Sequence, residues 1–68
     1  MDYIRNAYKM PFLQRGAEVE YRGKRGVITG ARGPYLLVDF AGKIEPVPPD
    51  MAGGYFIDGE PVKDYKPA

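Results

Sequence analysis

The sequence predicts a mainly all-β chain: a small curled barrel of four or five short antiparallel strands behind a short N-terminal helical or irregular segment. Three observations carry this prediction. Nine Gly and seven Pro are spread through 68 residues, and each interrupts a helix or marks a turn. From Gly16 onward apolar and polar residues alternate with period two, the spacing of a strand with one wet face. Short turn signals such as Ala41-Gly42 and Asp58-Gly59 separate the alternating runs, as in a meander of hairpins.

Asp2 to Met10 lies in the longest run free of Gly and Pro. Ile4, Ala7, Tyr8 and Met10 recur there at loose helical spacing before Pro11, which predicts one or two turns held by docking, because isolated helices this short are marginal in water. Asp2 suits the first turn electrostatically. Glu18-Val19-Glu20-Tyr21-Arg22 alternates, so Val19 and Tyr21 are expected inward and Glu18 and Glu20 in water. Gly23-Lys24-Arg25-Gly26 reads as a charged turn into a second strand beginning at Val27-Ile28-Thr29, and the two strands form a hairpin.

Gly30 to Pro34 is a second reversal. Tyr35 to Phe40 then puts Leu36, Val38 and Phe40 on one face and Tyr35 and Leu37 on the other. After Ala41-Gly42 the segment Lys43 to Val47 returns antiparallel, with Pro46 implying an edge or a bulge and Pro48-Pro49 ending the pairing. Tyr55-Phe56-Ile57 is the last apolar strand, and Asp58-Gly59 turns into Glu60-Pro61-Val62, an edge because of Pro61. A flat sheet would leave one face of Leu36, Leu37 and Val38 wet, whereas a curled one buries both hairpins on one core. Gly26 and Gly30 are natural bending points. The expected organisation is an N-terminal segment over 1–14 docked on a barrel over 15–62, then a mobile tail over 63–68. Phe12, Phe40 and Phe56 are expected in the core.

Composition excludes most chemistry. There is no Cys, His, Trp or Ser, and Thr29 is the only aliphatic hydroxyl. Thiol, disulfide and Ser/His nucleophile chemistry are therefore absent, as is the commonest metal ligand. A core of this size leaves only about 3 to 5 kcal/mol to support a strained site. The expectation is a binding module with no catalytic residues, no cofactor, no metal and no small-molecule substrate. No apolar run reaches the roughly 20 residues of a membrane span, and Met1 to Phe12 lacks a signal-peptide core, so a cytoplasmic protein with no membrane partner is expected.

The net charge is +1, but it is unevenly distributed. Arg15, Arg22, Lys24, Arg25 and Arg32 against Glu18 and Glu20 give +3 over residues 15–32. Lys63 and Lys66 against Glu45, Asp50, Asp58, Glu60 and Asp64 give −3 over residues 45–68. The split either steers a polyanion to one side or draws the two halves together.

Residues Gly16 to Ile28, with the pattern Gly-x-x-Val, a hydrophobic, then Gly-x-x-Gly-Val, resemble the opening hairpin of SH3-like barrels of the KOW type. Thr29 to Phe40 looks like the next strand pair. The chain also resembles small uncharacterised phage and prophage proteins that pair a Tyr-Ile-Arg segment, here Tyr3-Ile4-Arg5, with a Gly-Val-Ile-Thr-Gly-Ala strand, here Gly26 to Ala31. The likeness covers about residues 3–47. Where those proteins carry His-Pro and Trp after the fourth strand, this chain has Val47-Pro48-Pro49, so no role of that pair transfers. KOW-type domains bind RNA or partner proteins, and the resemblance implies binding without naming the ligand. A phage-encoded protein would act in the host-cell cytoplasm.

Four cations, Arg22, Lys24, Arg25 and Arg32, lie around the two reversals, with Tyr21 and Tyr35 nearby to stack on a base; these six are the candidate nucleic-acid or nucleoprotein contacts. The competing reading is that turns and edges carry charge because they face water. Gly23-x-x-Gly26 and Gly30-x-x-Gly33 match the loop of KH domains, but that loop needs flanking helices, so turn geometry explains these glycines. Glu18, Glu20 and Asp39 read as a solvated strand face, and Asp58, Glu60 and Asp64 lack the spacing of a Ca²⁺ loop. Six Tyr exceed what one small core holds with its hydroxyls satisfied, so some rings should be exposed. Tyr3 and Tyr8 are the candidate interface with a protein partner or, in a homo-oligomer, a second copy, against the alternative that their segment merely lids the barrel. Open strand edges would serve the same second function.

Overall fold

A computed structural model describes residues 1–65. A helix α1, Asp2–Ala7, precedes strands β1 Glu18–Tyr21, β2 Lys24–Arg32, β3 Tyr35–Phe40 and β4 Lys43–Val47. A 3-10 turn at Pro49–Met51 leads to β5 Gly54–Ile57 and β6 Glu60–Pro61. The strands form one antiparallel sheet in the order β4-β3-β2-β1-β5-β6. The chain is mainly β as expected, with six strands rather than four or five. β4 and β6 remain as edges, so the sheet is not closed.

Four two-residue turns set the register, and three of them share one backbone form. Arg22-Gly23, Ala41-Gly42 and Asp58-Gly59 all take positive φ at both positions, the twist that matches strands continuing on either side. The last two were expected. The first corrects the expected turn over Gly23 to Gly26: Tyr21 pairs with Lys24, so Lys24, Arg25 and Gly26 already belong to β2. Arg left-handed at a turn gives no sequence signal, whereas the Gly pair mimics one. The second reversal is likewise shorter than expected, because Arg32 pairs with Tyr35 across Gly33-Pro34 and Gly30 stays within β2. The β2–β3 register shifts between Ile28 and Gly30, the extra residue of a bulge that bends a strand. Thr29 there donates its hydroxyl to the Leu37 carbonyl at 3.2 Å.

The core lies on one face of the sheet. Val19, Ile28, Leu36, Val38, Val47 and Tyr55 are buried, and Ile4, Met10 and Leu13 from the N-terminal segment are buried with them. Arg5 fixes that segment: its Nε donates to the Leu13 carbonyl at 2.6 Å, and it pairs with Asp2 at 2.9 Å. Of the Phe residues expected in the core, Phe12 and Phe40 are half-buried against it. Phe56 is turned to the opposite face, and its neighbour Tyr55 occupies the interior. Tyr55 satisfies its hydroxyl by donating to the Pro49 carbonyl at 2.6 Å. Tyr65 donates to the Ala52 carbonyl at 2.6 Å and meets the Tyr55 ring edge-on at 4.8 Å between centroids. These two bonds hold the loop before β5 to the core. Of the expected tail, residues 66–68 lie outside the described residues.

A two-residue turn closes on a hydrogen-bonded pair, so Phe40 with Lys43 and Ile57 with Glu60 exchange backbone bonds, and the residues between such pairs face outward. Pro46 on β4 and Pro61 on β6 fall at outward positions. The Val62 N–H donating back to the Tyr55 carbonyl at 2.8 Å continues that alternation. Each edge thus lacks a donor where a new strand would need one.

Gly26 is the tightest point of the sheet. A Cβ there would stand 2.5 Å from Val38 Cγ1, 2.8 Å from Phe40 Cδ1 and 2.9 Å from the Asp39 carbonyl oxygen. Gly26→Ala is expected to lower stability by about 1 to 3 kcal/mol, read as a shift of the urea midpoint at unchanged slope. A second expectation concerns alkaline pH. Burial, with Tyr65 and Asp50 adding, pushes the Tyr55 phenol well above its ordinary value. The unfolded chain releases that proton near pH ~10 while the folded chain keeps it, so stability is unaffected below that range. Above it stability falls, by at most ~1.4 kcal/mol per pH unit for one proton. Melting temperatures of the native chain and Tyr55→Phe, followed to pH ~11, should show the loss blunted in the variant.

Candidate nucleic-acid interface

The expected cations do not form one cluster. Arg22, Lys24 and Arg25 sit at one end of β2, and Arg32 with Tyr35 at the other. Nine residues of strand separate the ends by roughly 25 Å. Arg32 and Tyr35 are exposed and share only the far turn. The structure therefore brings together Tyr21, Arg22, Lys24 and Arg25, and leaves the other two apart.

The cations at the near end differ in what occupies them. Arg22 lies over the Tyr21 ring, 5.2 Å from its centroid. Arg25 points to the outer face, where its guanidinium carbon stands 3.6 Å from the centroid of the Phe56 ring and its Nη1 lies 3.7 Å from Glu18 Oε1. Since β1 lies between β2 and β5, Arg25 reaches across a strand and ties three together. Lys24 makes no ion pair within the described residues.

Lys24 and Tyr21 share the inner face with Gly26, Phe40, Lys43 and Glu45, since Tyr21 pairs with Lys24, Phe40 with Lys43 and Val38 with Glu45. An open groove of about 440 Å³ runs between the β1–β2 and β3–β4 turns, lined by Lys24, Arg25, Phe40, Ala41, Lys43 and Glu45. A smaller lobe of about 120 Å³ shares Lys24, Phe40 and Glu45 and adds Tyr21 and Arg22. Gly26 explains the floor: without a side chain, it lets the Phe40 ring settle onto β2. Asp39 accepts the Gly42 N–H at 2.7 Å and holds the Ala41-Gly42 turn.

Lys43, Phe40 and Glu45 were missed as site residues. Their signal is the register across Ala41-Gly42, which puts a cation opposite an aromatic, and it becomes meaningful only once the two hairpins lie side by side. Of the expected +3 and −3 halves, Glu45 shares the groove with Arg22 and Lys24 without an ion pair among the described residues. Among the described residues, the ion pairs are Arg5 with Asp2 and Arg25 with Glu18, and neither joins residues 15–32 to 45–68. Glu18 and Glu20 are spread along β1, and no group of three acidic side chains gathers among the described residues.

For the alternative interface, Tyr3 is 66% exposed on α1, whereas Tyr8 is half-buried against the core. No helix among the described residues is long and apolar enough to cross a membrane. No protein-family model, curated protein or solved structure matches the chain.

Arg25→Ala is expected to cost about 0.5 to 1 kcal/mol, the range of an exposed cation–aromatic contact, measured by urea unfolding. Arg25→Lys should recover part of it, because the ammonium keeps the charge but lacks the flat guanidinium.

Proposed function

We propose that this protein is a non-enzymatic binding module that contacts single-stranded nucleic acid, alone or within a nucleoprotein complex, through the groove between its first and third hairpin turns. The observation that carries the reading is that groove: Lys24 and Phe40 line both of its lobes, Arg22 and Tyr21 the smaller and Lys43 the larger. Single-stranded nucleic acid asks for this combination, cations for the phosphates and flat rings for bases. A duplex hides its base faces and would leave the rings unused.

The same reading takes the sheet as an SH3-like small barrel of the KOW type. Support comes from the meander of the first four strands, the return of β5 to pair with β1, and the 3-10 turn just before β5. A nine-residue β2 bulged near its middle is the kind of strand that folds one sheet around a core. The likeness of residues 3–47 to phage proteins fits a cytoplasmic setting in a host cell.

A second reading, a protein partner or homo-oligomer, rests on the exposed side chains Tyr3, Tyr35, Val27, Ile44 and Met51. Because each edge carries an outward Pro, such contacts would use faces rather than strand addition.

Fluorescence anisotropy with a labelled uridine heptamer tests the leading reading. Three groove cations predict a slope of log affinity against log salt of about −2, and Lys24→Ala or Lys43→Ala should reduce its magnitude by ~0.7 each. Arg32→Ala should leave it unchanged. Undetectable binding at low salt, or an equal response to Arg32→Ala, sinks the assignment.

A further inference from the structure

The groove contains one residue that repels an anion. Glu45 lies on β4 opposite Val38, two residues along the same face from Lys43, and lines both lobes beside Phe40. Its side chain is half-buried. Among the described residues it has no ion pair and no hydrogen bond, although Arg22, Lys24 and Lys43 line the same groove. A carboxylate accepts hydrogen bonds and cannot donate them, so Glu45 presents unused acceptor capacity where a stacked base would lie.

We propose that Glu45 reads the Watson–Crick edge of a nucleobase and that the groove prefers guanine; this rests on the nucleic-acid reading above. Guanine carries N1–H and N2–H side by side, and a carboxylate accepts both with its two oxygens, a paired geometry that adds specificity to energy. Adenine and cytosine each offer one exocyclic amine beside a ring acceptor. Uracil offers a single N3–H between two carbonyls that a carboxylate repels. Single-stranded bases are read in this way, stacked on an aromatic ring and bonded along that edge. Lys24 and Lys43 hold the flanking phosphates. Glu45 simultaneously penalises a ligand that brings only negative charge, so selection comes from an attractive and a repulsive contribution of one group.

Labelled uridine heptamers with a central guanine, inosine, adenine or cytosine, alongside the all-uridine strand, test this with the full chain at low salt. The guanine strand should bind about tenfold tighter than all-uridine, which corresponds to ~1.4 kcal/mol. Inosine keeps N1–H but lacks the 2-amino group and should fall between. Glu45→Gln should weaken the guanine strand while tightening the all-uridine one. Equal affinity for all five strands, preference for another base, or a Glu45→Gln variant that tightens every strand by one factor overturns guanine reading and leaves the nucleic-acid interface standing. Failure of every strand to bind overturns both.

Discussion

The bare Cα of Gly26 allows β2 and β3 to approach until the Val38 and Phe40 side chains lie against the β2 backbone. Interiors are packed densely enough that one methyl group is felt, and here that methyl would strike a buried branched side chain, an aromatic ring and a carbonyl together. The core and the groove depend on the same contact. Val38 belongs to the buried face, and Phe40, two residues on, supplies the ring around which the groove cations stand. Displacing one displaces the other, so fold and site are coupled through a single missing side chain.

The surface charges divide into those that hold the sheet and those left available. Arg25 is spent across Phe56 and Glu18, and Arg5 across Leu13 and Asp2. Both are arginines, whose flat, multiply donating group suits fixed contacts, while Lys24 and Lys43, which act as mobile point charges, line the groove beside Arg22. Outward Pro46 and Pro61 blunt the sheet edges against strand addition.

Much of the strand content was legible because alternation reports one buried face: Val19, Leu36 and Val38 are buried as the pattern requires. Ala41-Gly42 and Asp58-Gly59 were legible because Gly after a tolerant residue between apolar runs has few other uses. Three features were not legible. Gly26 was read as a turn residue, since a glycine needed for close approach looks the same in sequence as one needed for positive φ. Tyr55-Phe56-Ile57 is apolar throughout, so period two cannot choose its buried face; the pairing of Val19 with Tyr55 decides it. Lys43 and Glu45 look like ordinary edge-strand charges until register sets them beside Phe40 and Lys24. The cluster of four turn cations failed for the converse reason: neighbours in a list of reversals became opposite ends of one long strand.

Two of the costly backbone positions border the groove. Arg22 and Ala41 occupy the first positions of their turns at φ +53° and +55°, where Asn, Asp or Gly is the cheaper choice. Such conformations cost of order 1 kcal/mol or more for other residues and collect where function holds them. In the Asp58-Gly59 turn, away from the groove, the equivalent position is Asp58, one of the favoured types. Of the positive-φ residues other than Gly and Asp, Arg22 and Ala41 line the groove, while Lys9, at φ +54° just after α1, lies away from it.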